Sequence, residues 1–97
     1  MYVIAFTSRA LDDLRFLRKN EQNTVVDAIN SQLVADPLSP TRNRKPLRPN
    51  RLSQWELRVD QFRVFYDADA DSLVVTIQAV GWKDHNKLYF RGQEFLL

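Results

Sequence analysis

Two arginines sit in consecutive apolar segments, Arg58 in WELRV at 55–59 and Arg63 in FRVFY at 62–66. A short run further on holds Lys83, His85 and Tyr89. These residue types match the needs of RNA cleavage by the 2′-hydroxyl. A proton must leave the 2′-oxygen, charge must be stabilised at phosphorus, and the departing 5′-oxygen must be protonated. Histidine transfers protons near neutral pH. Arginine and lysine stabilise the charge that develops on the phosphoryl oxygens. Tyrosine or tryptophan offers a ring on which an unpaired base stacks. Each residue also has an ordinary use: an arginine paired with Glu56 or Asp60, a surface His85, Tyr89 as a lid on the core, a buried Trp82.

Charge distribution adds a second signal. The chain has 97 residues and a net charge of only +2. From Arg42 to Arg63, however, Arg42, Arg44, Lys45, Arg48, Arg51, Arg58 and Arg63 face only Glu56 and Asp60, a local excess of +5. A segregated basic patch suits a polyanion, although solvated charge runs are common.

The elements that must position these residues follow from periodicity. Residues 2–6 (YVIAF) read as a short strand. Thr7 or Ser8 offers a hydroxyl N-cap to a helix through about Asn20, with Ala10, Leu14 and Leu17 at helical spacing and Leu11 beside them. Asp12 and Asp13 fall in its first turns and Arg18 and Lys19 in its last, as the helix dipole favours. Val25, Ile29 and Leu33 mark a second helix from about Glu21 to Ala35, ended by Asp36-Pro37. Residues 37–50 contain four prolines and read as a stiffened basic loop.

Residues 55–59 and 62–66 alternate apolar and polar and read as two strands joined at Asp60-Gln61. Such a hairpin can place Arg58 and Arg63 on one face, and the turn register decides it. The Asp67–Asp71 segment reads as a solvated turn; it lacks the glycine and terminal glutamate of a calcium loop. Residues 73–80 form a third strand, Gly81 leaves the sheet, and 82–95 is a short basic, aromatic tail with a turn at Arg91-Gly92. The expected architecture is α+β: one domain over 1–97, an N-terminal strand and two-helix hairpin on an antiparallel sheet, in the order β-α-α-β-β-β.

Composition narrows the function. With no cysteine, thiolate chemistry, disulfides and cysteine metal sites are excluded. One histidine gives no metal-ligand pattern, and no cofactor is expected. No apolar run reaches the ~20 residues of a membrane span. Without a signal-peptide pattern either, the cytoplasm is the expected location. Nothing in the pattern calls for a small-molecule ligand.

As an ensemble, KPL at 45–47, WELRV at 55–59, FRVFY at 62–66, LVVTIQAVG at 73–81 and K-x-H-x-x-x-Y at 83–89 resemble the RelE/ParE toxin superfamily. The resemblance covers most of the chain and is sharpest from Lys45 to Tyr89. It implies a toxin of a type II toxin–antitoxin pair, with a cognate antitoxin as partner. RelE-like members enter the ribosome and cut mRNA, whereas ParE-like members poison DNA gyrase without enzymatic activity. The first is the leading expectation. The alternatives are gyrase inhibition, or a weakly active member acting through antitoxin binding and operon regulation.

On the RelE-like reading, the resemblance assigns Arg63, Lys83, His85 and Tyr89 to catalysis. Arg63 falls on the strand arginine at the scissile phosphate, Lys83 where an arginine is common, and Tyr89 on the C-terminal tyrosine that positions the nucleotide. Lys45, Arg48, Arg51 and Arg58 are the implied RNA contacts. Three departures are a net charge lower than is usual for active members, Lys83, which lacks the bidentate fork of arginine, and Lys45, which stands in the loop where some relatives carry a glutamate base.

Overall fold

The computed structural model describes residues 1–97. The chain runs β1 (Val3–Phe6), α1 (Ser8–Phe16), α2 (Lys19–Leu33), β2 (Arg44–Pro46), β3 (Trp55–Val59), β4 (Phe62–Asp69), β5 (Val74–Asp84), β6 (Lys87–Phe90) and β7 (Gln93–Phe95). The expected α+β architecture is present, and its three-strand meander is the middle of a larger sheet. Strands β2 to β7 follow one another antiparallel, while β1 pairs parallel with the first half of β5.

Three differences from the sequence reading have local causes. The loop after α2 contains β2, which pairs Arg44 with Leu57 and Pro46 with Trp55. A three-residue strand containing proline shows no alternation to read. The third strand continues through Gly81 to Asp84, and the tail beyond it folds back as β6 and β7. The acidic turn also begins later, since β4 runs on to Asp69.

Both helices cover one face of the sheet. From α2, Val25, Ile29 and Leu33 are buried at the predicted four-residue spacing. From α1 come Ala10 and Leu17, with Leu14 partly buried. They meet Trp55, Leu57, Val59, Phe62, Val64, Tyr66, Val75, Ile77 and Val80 in one core. The Tyr66 hydroxyl, wholly buried, donates to Pro37 O at 2.7 Å and so satisfies its polar end. Arg44 is buried as well: its guanidinium donates to Ser39 O at 3.1 Å and Gln32 O at 2.7 Å, closing the last turn of α2.

The chain breaks between the helices earlier than expected. Leu17 ends α1, and α2 starts at Lys19, where Glu21 accepts from Arg18 N at 3.0 Å. Asp13, which the sequence places near the helix start for its charge, instead faces the sheet. On one edge of β5, pairing with β1 stops at Ile77 and pairing with β6 begins at Trp82. Thr7, the N-cap of α1, and Asp13 within the helix bridge this gap. Thr7 Oγ1 donates to Gln78 O at 3.2 Å while accepting from Ala10 N as the helix cap. Asp13 Oδ2 accepts from Val80 N at 3.0 Å.

A smaller apolar cluster lies on the other face: Leu52, Phe65, Ala79, Leu88 and Phe90, with Leu47 and Phe95 against them. Beside it, no helix covers the sheet, and the polar residues described next occupy that area.

Candidate phosphate-binding cavity

The β3–β4 register settles the placement of the two arginines. Arg58 and Arg63 are directly opposite one another, as are Glu56 and Phe65. Cross-strand partners project to the same face, so both arginines lie on the face away from the helices. The turn that sets this register puts Asp60 at φ 53°, in the left-handed region, without a glycine. On β5 the partner of Arg63 is Gly81, and Lys83, two residues on, shares that face. On β2, Lys45 lies opposite Glu56.

These side chains line a polar cavity of about 260 Å³. Its walls are Arg58, Arg63, Lys83 and Lys45, with Arg42 and Asn43 from the segment before β2 and Asn86 from the β5–β6 turn. Glu56 is its one acid, and no apolar residue lines it.

Arg63 is the best-held cation of the group. Its side chain is buried, and Nη1 donates to Asp60 O and Phe62 O, each at 2.8 Å. Nε and Nη2 make no bond within the protein and remain for a ligand. Burial pushes its ionisation below the usual arginine range, the Glu56 carboxylate opposes this, and the charge of Arg58 adds to the lowering. Arginine still carries its proton at pH 7. A fixed guanidinium with free donors, ringed by further cations, is suited to a phosphodiester.

The other expected site residues separate. His85 and Asn86 form the β5–β6 turn with φ of 51° and 67°. Two consecutive left-handed residues are what a two-residue turn of this hairpin kind requires. His85 points away, 92% exposed, with Nδ1 2.8 Å from Asp84 Oδ1. Its neighbour Asn86 lines the cavity instead. Tyr89 pairs with Trp82, and Lys83 with Leu88, so Tyr89 lies on the helix-covered side. There Phe16, Trp82 and Tyr89 stack in series, with centroids 5.9 and 6.1 Å apart.

The basic loop also divides. Arg51 lies over the Phe95 ring at 4.8 Å and donates to Leu96 O at 2.9 Å, tying the loop to the chain end. Arg48 is exposed on a separate depression along residues 46–55. Lys45 stays at the cavity, 3.8 Å from Glu56.

The sequence reading did not single out Arg42, Asn43, Asn86 or Glu56 as site residues. Arg42 carried a signal as part of the basic patch, and Glu56 did too, since alternation already placed it on the Arg58 face; Asn43 and Asn86 carried none. No group of three or more histidines, cysteines or acids is placed to hold a metal ion. No helix is long and apolar enough to cross a membrane.

Residues 4–86 match the family described as the ParE toxin of the type II toxin–antitoxin system parDE. No curated sequence gives a significant match. Among solved structures, the chain is similar to one in the RelBE2 toxin–antitoxin complex from Mycobacterium tuberculosis. The TM-score is 0.73 at 29% identity, over 84% of this chain and 98% of that one. A chain of the archaeal RelE–RelB complex from Pyrococcus horikoshii gives 0.69 at 15% identity, covering 87% and 97%. One from the YoeB–YefM complex of Staphylococcus aureus gives 0.62 at 16%, covering 87% and 99%; at these identities both speak for the fold alone. The match over residues 4–86, on a fold shared with RelE-type chains, means that this chain belongs to the ParE toxin family, within the RelE/ParE superfamily of type II toxin–antitoxin toxins.

Proposed function

We propose that this toxin is a ribosome-dependent mRNA endoribonuclease that inhibits translation and is neutralised by a cognate antitoxin. One observation carries the reading: Arg58, Arg63, Lys83, Lys45 and Arg42 converge on a single polar cavity large enough for a phosphodiester and its ribose. A surface for docking a protein alone has no need of a buried guanidinium whose free donors face a cavity empty of apolar side chains. In this reading Arg63 and Lys83 stabilise charge on the scissile phosphate, and Arg42, Lys45 and Arg58 hold the flanking backbone. Arg48 and Arg51 lie outside this contact area. RNA leaving past the β5–β6 turn meets His85 at its tip and, around the edge, the Trp82 and Tyr89 rings.

The test is induction of the toxin followed by mapping of mRNA 5′ ends on translating ribosomes. Discrete new ends within coding sequence are expected. A second reading, gyrase inhibition without catalysis, is favoured by the ParE identity of the matching family. Intact mRNA together with a DNA-damage response on induction would establish that reading and overturn the first. Absence of any growth effect would leave antitoxin binding and operon regulation as the function.

A further inference from the structure

Phe16 is the only aromatic side chain that the fold leaves mostly in water, at 55% exposed. It closes α1 and forms the lip of a cavity of about 290 Å³ lined by Leu17, Phe62 and Trp82. This cavity is separate from the cation cluster. Phe62 and Trp82 precede Arg63 and Lys83 on β4 and β5, and neighbours along a strand project to opposite faces. The cavity also carries both signs of charge, Arg18 and Glu21. The two stand three residues apart at the start of α2, yet their side chains do not pair. Glu21 Oε1 accepts from Arg18 N at 3.0 Å, and the Arg18 guanidinium reaches no carboxylate of its own chain. An aromatic knob beside an aromatic-lined hole, with an unpaired cation and an acid at its edge, makes a patch complementary to itself. An apolar centre with a polar rim is the anatomy of a protein interface. The carboxylate makes the patch unfavourable for RNA. A partner of different sequence would have to supply the matching set, whereas a second copy already carries it.

We propose that the protein forms a two-fold dimer through this patch. Phe16 of each copy enters the cavity of the other, and Arg18 of each faces Glu21 of the other. Two-fold symmetry makes every such contact twice. The patch is small, so the dimer is weak and reversible, at the low end of interface size. The cation cavities lie on the face away from the helices and remain open in the pair. The inference is independent of the nuclease reading and holds equally for a gyrase inhibitor.

The experiment is sedimentation equilibrium of the full chain without antitoxin, between about 1 μM and 1 mM. Wild type is expected to show a monomer–dimer equilibrium with a dissociation constant in the micromolar range. Phe16→Asp is expected to weaken it by at least about 30-fold, the loss of a buried aromatic anchor. Arg18→Glu and Glu21→Arg each set like charges across the two-fold axis, and each alone is expected to stay monomeric. Mixed in equal amounts, the two variants carry opposite charges at both contacts and are expected to form a heterodimer. Circular dichroism checks that each variant is folded, since Glu21→Arg also removes a cap of α2. Wild type that stays monomeric up to about 1 mM would overturn the proposal. So would a dimer indifferent to Phe16→Asp, or a mixture that associates no better than its components. A monomeric wild type whose antitoxin binding is lost in folded Phe16→Asp would also overturn it, and would assign the patch to the antitoxin instead.

Discussion

The two faces of the sheet are built from the same strands and differ in almost everything else. On one, alternate residues of β3, β4 and β5 meet α1 and α2 in a continuous apolar core. On the other, the intervening residues include Glu56, Arg58, Arg63 and Lys83, with a small apolar cluster to one side. A strand sends successive side chains to opposite faces, so each five-residue stretch such as Trp55–Val59 serves the core and the cavity at once. Stability on one side thereby holds cations on the other in fixed positions. A charged cluster of this kind is costly to assemble and needs a rigid support.

Substitutions on the two faces should therefore separate stability from activity. Ile29→Ala, in α2 under the sheet, should cost the most, about 2–5 kcal/mol by chemical denaturation, because Ile29 is 1% exposed and leaves a cavity. Gly81→Ala should cost about 1–3 kcal/mol in the same assay. A β-carbon there would lie 2.4 Å from Tyr89 O, forcing β5 and β6 apart beside Lys83.

Asp13 ties the helix layer to the gap in the β5 edge, and its effect should depend on pH. Oδ1 is buried without a well-directed hydrogen bond, although Arg91 Nε lies 3.0 Å away. Burial is the largest influence and raises its pKa above the ordinary 3.8, against the lowering effects of the Val80 N–H, Arg9 and Arg91. The folded protein thus takes up this proton at a higher pH than the unfolded chain does. The associated stability is fully present below the unfolded value and is lost as pH rises through the folded one. Wild type should gain stability relative to Asp13→Asn as pH falls from 7 towards 4, with melting curves across that interval as the check. A constant difference would mean that Asp13 does not titrate differently in the folded state. Smallest of all, Arg51→Ala should cost about 0.5–1 kcal/mol through its lost contact with Phe95. That loss would appear as a slightly lower Tm.

Periodicity made the helix-covered face legible. Val25, Ile29 and Leu33 repeat at helical spacing, and the alternation in 55–59 and 62–66 assigns every side chain to one face or the other. The open face was less legible for a geometric reason. Lys83 and Tyr89 are six residues apart, an even spacing that suggests one face along a single strand. The two-residue turn at His85-Asn86 pairs Lys83 with Leu88, so Tyr89 falls on the opposite side. Likewise nothing in the run from Arg42 to Arg51 distinguishes Arg44, bonded to the end of α2, from Arg42 at the cavity. Those fates depend on β2, whose three residues are too few to carry a pattern.

We attribute toxicity to the cation cluster on the open face and not to the fold as such. Arg63→Ala tests it most directly, with growth after induction measured alongside antitoxin binding by the same protein. We predict that growth arrest is relieved and antitoxin binding is retained, with mRNA cleavage lower by about 10²–10³-fold. Full growth arrest from Arg63→Ala in a folded, antitoxin-binding protein would show that toxicity does not depend on this cluster.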